Sequence, residues 1–273
     1  VDYSIMAPTL LPDADLFKNN LDTLVVGREL QVFDAVNSTN DLAKDYLRKD
    51  QGTEGLVIIA DSQTAGRGRL GRSWFSLPGL GVYLSIIFKP PGPPERFPLL
   101  TLMACVATLE AINEISPLKG TLKWPNDIYL GGKKLCGLLG EFHPPNEGSG
   151  GVIVGIGINA NQNASHFPEE LAPIATSLFI ENKVSVDRTT LILSVLTHLD
   201  HEYEGFLLGN DAALLKKWTE NTDMFGKEIT LNRGSEQFQG TALRLDPLGR
   251  LVMRSHEGQE LVFESGEITH IRH

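Results

Sequence analysis

The spacing of apolar residues predicts alternating helices and strands from residue 13 to residue 220. Apolar residues three and four positions apart indicate helices, and short apolar runs bounded by turn residues indicate buried strands. Helices are predicted over residues 13–26, 37–48, 99–115, 187–208 and 211–220. Strands are predicted over residues 30–36, 56–61, 82–89, 120–124, 128–130, 134–142 and 151–158. This length and pattern suit one substantial α/β domain with a small appendage.

The pattern changes after residue 226. Short strand-like segments now follow one another over residues 228–232, 237–244, 251–254, 260–263 and 267–271. Gly, Pro or Asp turns separate them, and short strands at such regular spacing are typical of a small barrel. The sequence therefore predicts two domains, residues 1–223 and residues 224–273.

Composition narrows the class of protein. The apolar share of 41% is ordinary for a globular protein. A formal net charge of −10 repels nucleic acid over most of the surface, so any polyanion must bind at a local basic patch. Cys105 and Cys136 lie in apolar runs, which favours buried thiols in a reducing compartment over a disulfide or a metal pair. No apolar run reaches the roughly 20 residues that span a bilayer, and the N-terminal residues lack a secretory pattern. We therefore expect a cytoplasmic protein with no membrane partner.

Residues 66–74, Gly-Arg-Gly-Arg-Leu-Gly-Arg-Ser-Trp, concentrate three arginines in an acidic chain. The guanidinium groups of Arg67, Arg69 and Arg72 stay charged at neutral pH and can bind phosphate oxygens in a bidentate way. The interleaved glycines let the backbone approach an anion, and Trp74 offers a flat apolar face. An RGG-like RNA contact or a solvated basic loop would fit the same residues. The position directly after a buried strand favours phosphate chemistry.

Residues 123–127, Lys-Trp-Pro-Asn-Asp, form a second candidate segment. Lys123, Asn126 and Asp127 bracket a rigid proline and can place a cation, an amide and a carboxylate at one strand end, although Asn-Asp is also a common turn pair. Lys134 enters an apolar strand, which is costly unless its ammonium group meets an anion. A surface lysine with a buried stem is the alternative.

Residues 155–159, Gly-Ile-Gly-Ile-Asn, form a third candidate segment at the end of a predicted strand. They lack the third glycine of a dinucleotide-binding fingerprint. The small residues permit close approach of a ligand, and Asn159 supplies both a donor and an acceptor. Alone, this segment carries little information.

Together the segments resemble the catalytic domain of biotin–protein ligases. The resemblance covers about residues 30–160, and the GRGRxGRxW and KWPND patterns are close to those of bacterial members. It implies an α+β fold, a mixed β-sheet flanked by helices as in class II synthetases, with a small C-terminal SH3-like β-barrel. The segments that carry it are residues 38–40, 63–74, 123–127, 134–137 and 155–159.

The resemblance also implies roles for residues of this chain. Biotin is expected to contact Ser38, Thr39, Gln63, Gly66, Arg67, Gly68, Gly137 and Leu139. ATP and the adenylate are expected to contact Arg69, Arg72, Trp74, Asn126, Lys134 and Asn159. The catalytic set comprises Arg67, Arg69, Arg72, Lys134 and Asp127, with Asp127 expected as a partner of Arg69. No metal ligands are assigned.

The implied activity is that of a biotin–protein ligase. Such an enzyme converts biotin and ATP, with Mg²⁺, into biotinyl-5′-AMP and pyrophosphate, and then transfers biotin to a lysine of a biotin carboxyl carrier protein or domain.

An exposed sheet edge could support a homodimer. No DNA partner is expected, because too few residues precede Ser38 for the helix-turn-helix domain of many bacterial relatives. Arg272 comes one residue later than in the bacterial form, so its role near ATP is left open.

Three other functions compete with this one. A lipoate–protein ligase is disfavoured because the Arg-Arg-x-Ser-Gly-Gly-Gly type of loop is missing. A nucleic-acid-binding module is opposed by the net charge and by the lack of aromatic residues near the arginines beyond Trp74 and Phe75. A non-catalytic biotin-binding protein is opposed by the intact set of arginines together with Lys134.

Overall fold

A computed structural model describes residues 11–145 and 148–272 of the protein, with side chains described up to residue 269. A seven-stranded sheet lies at its centre. The strands are β1 (Leu30–Val36), β2 (Val57–Gln63), β3 (Val82–Phe88), β4 (Thr121–Lys123), β5 (Asp127–Leu130), β6 (Lys133–His143) and β7 (Gly151–Ile158). The α-helices are α1 (Ala14–Asn19), α2 (Thr39–Arg48), α3 (Pro98–Ile115), α4 (Leu178–Asn182), α5 (Arg188–Leu207) and α6 (Asp211–Glu220).

The sheet is mixed. Its strand order is β1-β2-β3-β7-β6-β5-β4. β1 and β2 are parallel, because α2 crosses from one to the other. All other neighbouring pairs are antiparallel. The predicted α+β fold with a mixed sheet flanked by helices is confirmed, and β1 and β4 form the two edges.

Helices α2 and α3 begin within one residue or two of the predicted positions. The Ser38 hydroxyl caps α2 by accepting the Asp41 N–H at 3.4 Å. The helical stretch Pro94–Ile115 that contains α3 is long and apolar enough to cross a membrane, but 12 of the 18 residues of α3 are buried within the protein. Its apolar character on every side is that of a core helix, packed against the sheet and α5.

The first predicted helix is too long. The sequence predicts a helix over residues 13–26, whereas α1 ends at Asn19. The backbone N–H groups of Leu24, Val25 and Val26 all donate to the Asp200 carboxylate of α5, at 2.7 to 2.8 Å. Three charge-assisted hydrogen bonds to a distant helix therefore replace the intrahelical bonds that the apolar spacing predicts.

The C-terminal strands form the expected small SH3-like barrel. They are β8 (Glu228–Arg233), β9 (Glu236–Leu245), β10 (Leu251–Ser255), β11 (Glu260–Phe263) and β12 (Glu267–Arg272), in the order β11-β10-β9-β8-β12. Buried Ile229, Leu231 and Ile268 belong to the same apolar core as the large sheet. Trp124 Nε1 donates to the Gly249 carbonyl at 3.1 Å. Because the core continues from one sheet to the other, a boundary near residue 224 stays a prediction.

Candidate active site

A cavity of about 500 Å³ lies between the loop after β2, the β4–β5 turn, β6, β7 and the barrel. This volume is typical of small-molecule sites. Every residue assigned from the resemblance lines it except Gly66. The lining residues from that set are Ser38, Thr39, Gln63, Arg67, Gly68, Arg69, Arg72, Trp74, Asn126, Asp127, Lys134, Gly137, Leu139 and Asn159.

One end of the cavity carries uncharged hydrogen-bonding groups. Gln63 Oε1 accepts the backbone N–H of Thr39 at 2.9 Å and its hydroxyl at 3.2 Å. Gln63 Nε2 donates to Ser76 Oγ at 2.9 Å, and Ser85 Oγ lies 2.7 Å from Thr39 Oγ1. These bonds tie the start of α2 to the end of β2. The result is a pre-ordered set of donors and acceptors that suits an uncharged polar ring.

Gly137, Gly155 and Gly157 of β6 and β7 form a part of the cavity wall that carries no side chains of its own, and we call it the bare floor. A Cβ atom at Gly137 would lie 2.9 Å from Trp74 Cζ3, and one at Gly157 would lie 2.4 Å from Trp74 Nε1. At Gly155 it would lie 2.1 Å from Asn40 Oδ1. The Trp74 indole therefore lies directly on the sheet backbone. Its Nε1 atom is buried against Gly157 and has no hydrogen-bond partner among the described residues.

The arginine loop, residues 66–74, folds back on itself. The N–H of Gly68 donates to the Arg72 carbonyl at 2.7 Å, and the N–H of Trp74 donates to the Gly66 carbonyl at 2.8 Å. Gly66 thus lies beneath the loop, where a Cβ atom would meet the Trp74 carbonyl oxygen at 2.4 Å. Leu70 at the tip has a φ of 56°, which is the left-handed region that a branched residue rarely adopts.

A buried ion pair holds the segment that connects the arginine loop to β3. Arg188 of α5 and Asp61 of β2 have side chains only 2% and 6% exposed, and Arg188 Nη1 lies 2.7 Å from Asp61 Oδ1. Asp61 Oδ2 accepts the N–H of Gly79 at 2.9 Å, and Arg188 donates to the Gly81 carbonyl at 3.1 Å. The pair therefore fixes the chain where the arginine loop returns to β3.

Arg67 is bound by two carboxylates. Its guanidinium lies 2.7 Å from Asp41 Oδ1 and 2.7 Å from Glu141 Oε1. Glu141 also accepts from Asn40 Nδ2 at 2.8 Å. This cluster joins the arginine loop to α2 and β6 on the side of the uncharged end.

Two further cations of the cavity also have carboxylate partners. Arg72 donates to both oxygens of Glu267, one of them at 2.6 Å, and this bond lowers the pKa of the Glu267 carboxyl. Lys134 Nζ lies 2.6 Å from Asp127 Oδ1. Both pairs are partly exposed, so a bound anion can compete with the carboxylates for the cations.

Arg69 differs from the expectation. Its Nη1 donates to Asn126 Oδ1 at 3.0 Å and to the Gly266 carbonyl at 3.2 Å, and no ion pair with Asp127 forms. The predicted Arg69–Asp127 ion pair is therefore wrong. Asp127 pairs with Lys134 instead, and Arg69 donates to the side-chain amide of Asn126. Burial lowers the pKa of Arg69 despite the charges of Asp127 and Glu267. Arg69 links the loop to the β4–β5 turn and to the barrel.

The side of the cavity near the end of β7 is largely apolar. Asn159 donates to the Thr176 carbonyl at 2.9 Å and so orders the segment that follows β7. Phe167, Leu171 and Ile174 of that segment line the cavity. An apolar wall next to an amide suits a flat heteroaromatic ring.

Several lining residues were not predicted. Asn40 stands in the Ser-Thr-Asn segment, but its position against Gly155 depends on strand register. Tyr129 lies two residues after Asp127 on β5. The sequence indicates Lys123 only as a cation near Asp127, and its position directly opposite Asp127 depends on the hairpin register. Glu267 follows Gly266 in a segment that resembles the family's C-terminal part, and its pairing with Arg72 is long-range. The side chain of Arg272 lies outside the described residues.

Comparison with known proteins agrees with this geometry. A profile of the Biotin/lipoate A/B protein ligase family matches residues 32–159. The chain is 34% identical over 261 residues to the Bifunctional ligase/repressor BirA of Bacillus subtilis, which covers 96% of this chain and 80% of that protein. It is 30% identical over 250 residues to the Biotin--[acetyl-CoA-carboxylase] ligase of Mycobacterium tuberculosis, with 90% of each chain covered.

Solved structures show the same fold. The biotin protein ligase from Aquifex aeolicus in complex with biotin and ATP superposes with a TM-score of 0.76 and 32% sequence identity, over 90% of this chain and 99% of that one. The biotin protein ligase from Leishmania major in complex with biotinyl-5-AMP has a TM-score of 0.56 at 22% identity, which supports the fold. With this identity and coverage, and with the expected residues gathered in one cavity, the chain belongs to the biotin–protein ligases of the biotin/lipoate A/B protein ligase family.

Proposed function

We propose that this chain activates biotin with ATP and transfers it to one lysine of an acceptor protein. The observation that carries the proposal is a single cavity with an uncharged hydrogen-bonding end, a bare glycine floor and a cationic end. The ureido ring of biotin suits Thr39 and Gln63. The acyl chain suits the apolar space beside the Trp74 indole, which lies on the glycine floor, and the carboxylate suits Lys134.

The first half-reaction joins two anions. The biotin carboxylate is ionised at neutral pH, so its oxygen attacks the α-phosphorus of ATP without a general base. The obstacle is charge repulsion, and the guanidinium groups of Arg67, Arg69 and Arg72 together with Lys134 offset it. Fixed cations in a partly desolvated cavity stabilise the developing charge more strongly than water does.

Magnesium is proposed as the companion of ATP. Among the described residues, no group of three or more His, Cys, Asp or Glu side chains could hold an ion by itself. An ion bound mainly by phosphate oxygens needs only one or two carboxylates, and Asp127 and Glu267 line the cavity. With these ligands the ion would supply further positive charge at the phosphates.

The second half-reaction needs a neutral amine. A lysine with the reference pKa near 10.4 is mostly protonated at pH 7, a handicap of roughly 4–5 kcal/mol. Asp127 is the candidate acceptor of that proton at its Oδ atoms. Its pairing with Lys134 gives it a positioning role as well.

The acceptor we propose is a biotin carboxyl carrier protein or domain of a biotin-dependent carboxylase, the substrate class in the name of the Mycobacterium tuberculosis relative.

A homodimer through the edge strand β1 is proposed too, because no described strand pairs with its outer side. We expect no DNA partner for the described residues, since the loop arginines line the cavity and carboxylates bind both Arg67 and Arg72. Buried free Cys105 and Cys136 fit the proposed cytoplasmic location.

Pyrophosphate release tests the proposal. With ATP, release should depend on biotin and become multiple-turnover only when a biotin carrier domain is added. Release with lipoate instead of biotin would identify a lipoate–protein ligase. No pyrophosphate release with either biotin or lipoate, combined with tight binding of biotin, would indicate a non-catalytic biotin-binding protein.

Arg69→Gly is expected to loosen the closed site. The variant loses the bonds to Asn126 and Gly266 that join the loop to the turn and the barrel. A charged hydrogen bond contributes about 1.5–3 kcal/mol, so biotinyl-adenylate should escape about 10- to 100-fold faster. Biotin on an added bystander protein, relative to the carrier, measures the escape. Arg244→Gly, an exposed barrel change, is the control; bystander labelling equal to that of wild type would refute the clamp.

Biotin together with ATP is expected to protect residues 62–81 from trypsin. Arg72 is 64% exposed, and bound phosphates would engage the loop arginines. At tenfold saturation over the dissociation constant, roughly tenfold slower cleavage after Arg67, Arg69 and Arg72 should result. Mass spectrometry of timed digests gives these rates. Cleavage after Arg233, an exposed barrel residue, should stay constant; equal rates with and without ligands at all sites would contradict ligand-induced ordering.

A further inference from the structure

One cation in the cavity has no task in the steps above. Lys123 lies on the edge strand β4, half-buried, and its Nζ donates to Tyr129 Oη at 3.1 Å. The ammonium also lies 4.7 Å from the centre of the Tyr129 ring. No carboxylate of the described residues is within ion-pair distance of it, and burial lowers its pKa despite the charges of Asp127 and Glu267. A desolvated ammonium with so little compensation gains from a bound anion.

Lys123 ends a row of residues that crosses the sheet. Gly157 of β7 lies opposite Gly137 of β6, Gly137 lies opposite Asp127 of β5, and Asp127 lies opposite Lys123 of β4. Residues directly opposite in antiparallel strands point to the same face. With strands about 4.8 Å apart, the row extends ~14 Å from the bare floor to Lys123.

Biotin can lie along this row in one direction only. Its ring belongs with Thr39 and Gln63, beyond the β7 end of the row, and its carboxylate belongs with Lys134 on β6. In phosphoryl and nucleotidyl transfer, the attacking and leaving oxygens lie roughly in line across the phosphorus. The leaving group therefore continues in the direction from β6 to β5 and β4.

We propose that Lys123 binds the β- and γ-phosphates of ATP and takes up the charge of the departing pyrophosphate. In this step a bond forms between a biotin carboxylate oxygen and the α-phosphorus. The bond from the α-phosphorus to the bridging oxygen breaks, and its electron pair stays on pyrophosphate. No proton moves. The inference rests on the proposed function, and it gives Lys123 no part in the second half-reaction, because pyrophosphate has then left.

The charges of the neighbouring residues favour Lys123 over Arg72 and Lys134 as the phosphate-binding cation. Arg72 is bound by both oxygens of Glu267, and Lys134 is paired with Asp127. Each of these must give up a carboxylate before it binds a phosphate. Lys123 can receive one without breaking an ion pair.

Lys123→Gln separates the two half-reactions. Biotin-dependent exchange between ATP and labelled pyrophosphate should fall by about 100-fold, the loss typical of one removed charge-stabilising donor. Transfer from supplied biotinyl-5′-AMP to the carrier should stay within about twofold of wild type, and Lys123→Arg should recover most of the exchange. Lys119→Gln removes an exposed lysine from the same segment and is the matched control. Equal loss in both half-reactions, or no loss in either, would overturn the inference.

Direct binding of inorganic pyrophosphate tests the site apart from catalysis. Calorimetry should give at least about tenfold weaker binding for Lys123→Gln than for wild type or Lys119→Gln. Equal affinity of all three proteins would overturn the inference even if wild type ligates biotin. If wild type releases no pyrophosphate with biotin, the proposed function fails. Loss of pyrophosphate binding in Lys123→Gln would then still support the anion site.

Discussion

Lys134→Gln is expected to lower biotinyl-adenylate formation about 1000-fold, at the upper end of the loss for one charge-stabilising donor. Lys134 Nζ is 2.6 Å from Asp127 and 5.7 Å from the centre of the Trp74 ring, so its ammonium lies between the bare floor and the acidic side chain of β5. It is the cation nearest to the proposed meeting point of carboxylate and phosphate. Glutamine keeps a similar length but no charge.

The measurement is single-turnover formation of biotinyl-5′-AMP from ATP and labelled biotin. Lys133→Gln is the matched control, since Lys133 is the preceding residue of β6 and its ammonium contacts the Ala172 carbonyl at 3.4 Å. Successive residues of a strand point to opposite faces, so the control should stay within about threefold of wild type. A Lys134→Gln rate within tenfold of wild type would show that the other cations of the cavity suffice.

Arg188→Met is expected to destabilise the protein by roughly 3–5 kcal/mol, the usual effect of removing one partner from a buried ion pair. The variant leaves the Asp61 carboxylate, which is 6% exposed, with the Gly79 N–H but without its cation. For a protein of this size the midpoint of thermal unfolding should fall by roughly 6–20 °C. Because the pair fixes the return of the arginine loop, the KM values for biotin and ATP should rise as well.

A second substitution identifies the cause. Asp61→Asn in the Arg188→Met background keeps an acceptor for the Gly79 N–H and removes the stranded charge, so part of the lost stability should return. Arg244→Met breaks an exposed ion pair of the barrel and should leave the midpoint unchanged. If Arg188→Met unfolds at the wild-type temperature, the buried pair does not hold the loop.

Local sequence predicts elements well where short-range forces decide them. Ser38 caps α2 as its hydroxyl allows, and Gly131 and Gly132, between the predicted strands 128–130 and 134–142, adopt the positive φ values of a tight turn. The first helix was predicted too long because Asp200, some 175 residues away, binds the N–H groups of Leu24 to Val26. No local pattern contains that contact.

The candidate site shows the same division. The residue types in the arginine loop and in the Lys-Trp-Pro-Asn-Asp segment identified the cationic side of the cavity. The pairing of cations with carboxylates was not predictable from the sequence. Lys134 pairs with Asp127, and Arg72 pairs with Glu267 of the barrel. These pairings depend on strand register and on how the barrel packs against the large sheet.

The pairing of cations with carboxylates has a consequence for selectivity. Five cations of the site, Arg67, Arg69, Arg72, Lys123 and Lys134, face four carboxylates, Asp41, Asp127, Glu141 and Glu267. The side chains of the site are therefore almost neutral in sum, and they belong to a protein of net charge −10. Stray phosphate compounds, which are abundant in cells, gain little from Arg67, Arg72 and Lys134, because each of these cations must first give up an internal counter-ion. Only a ligand that also fills the uncharged end of the cavity recovers that loss, so these ion pairs favour biotin with ATP over simple anions.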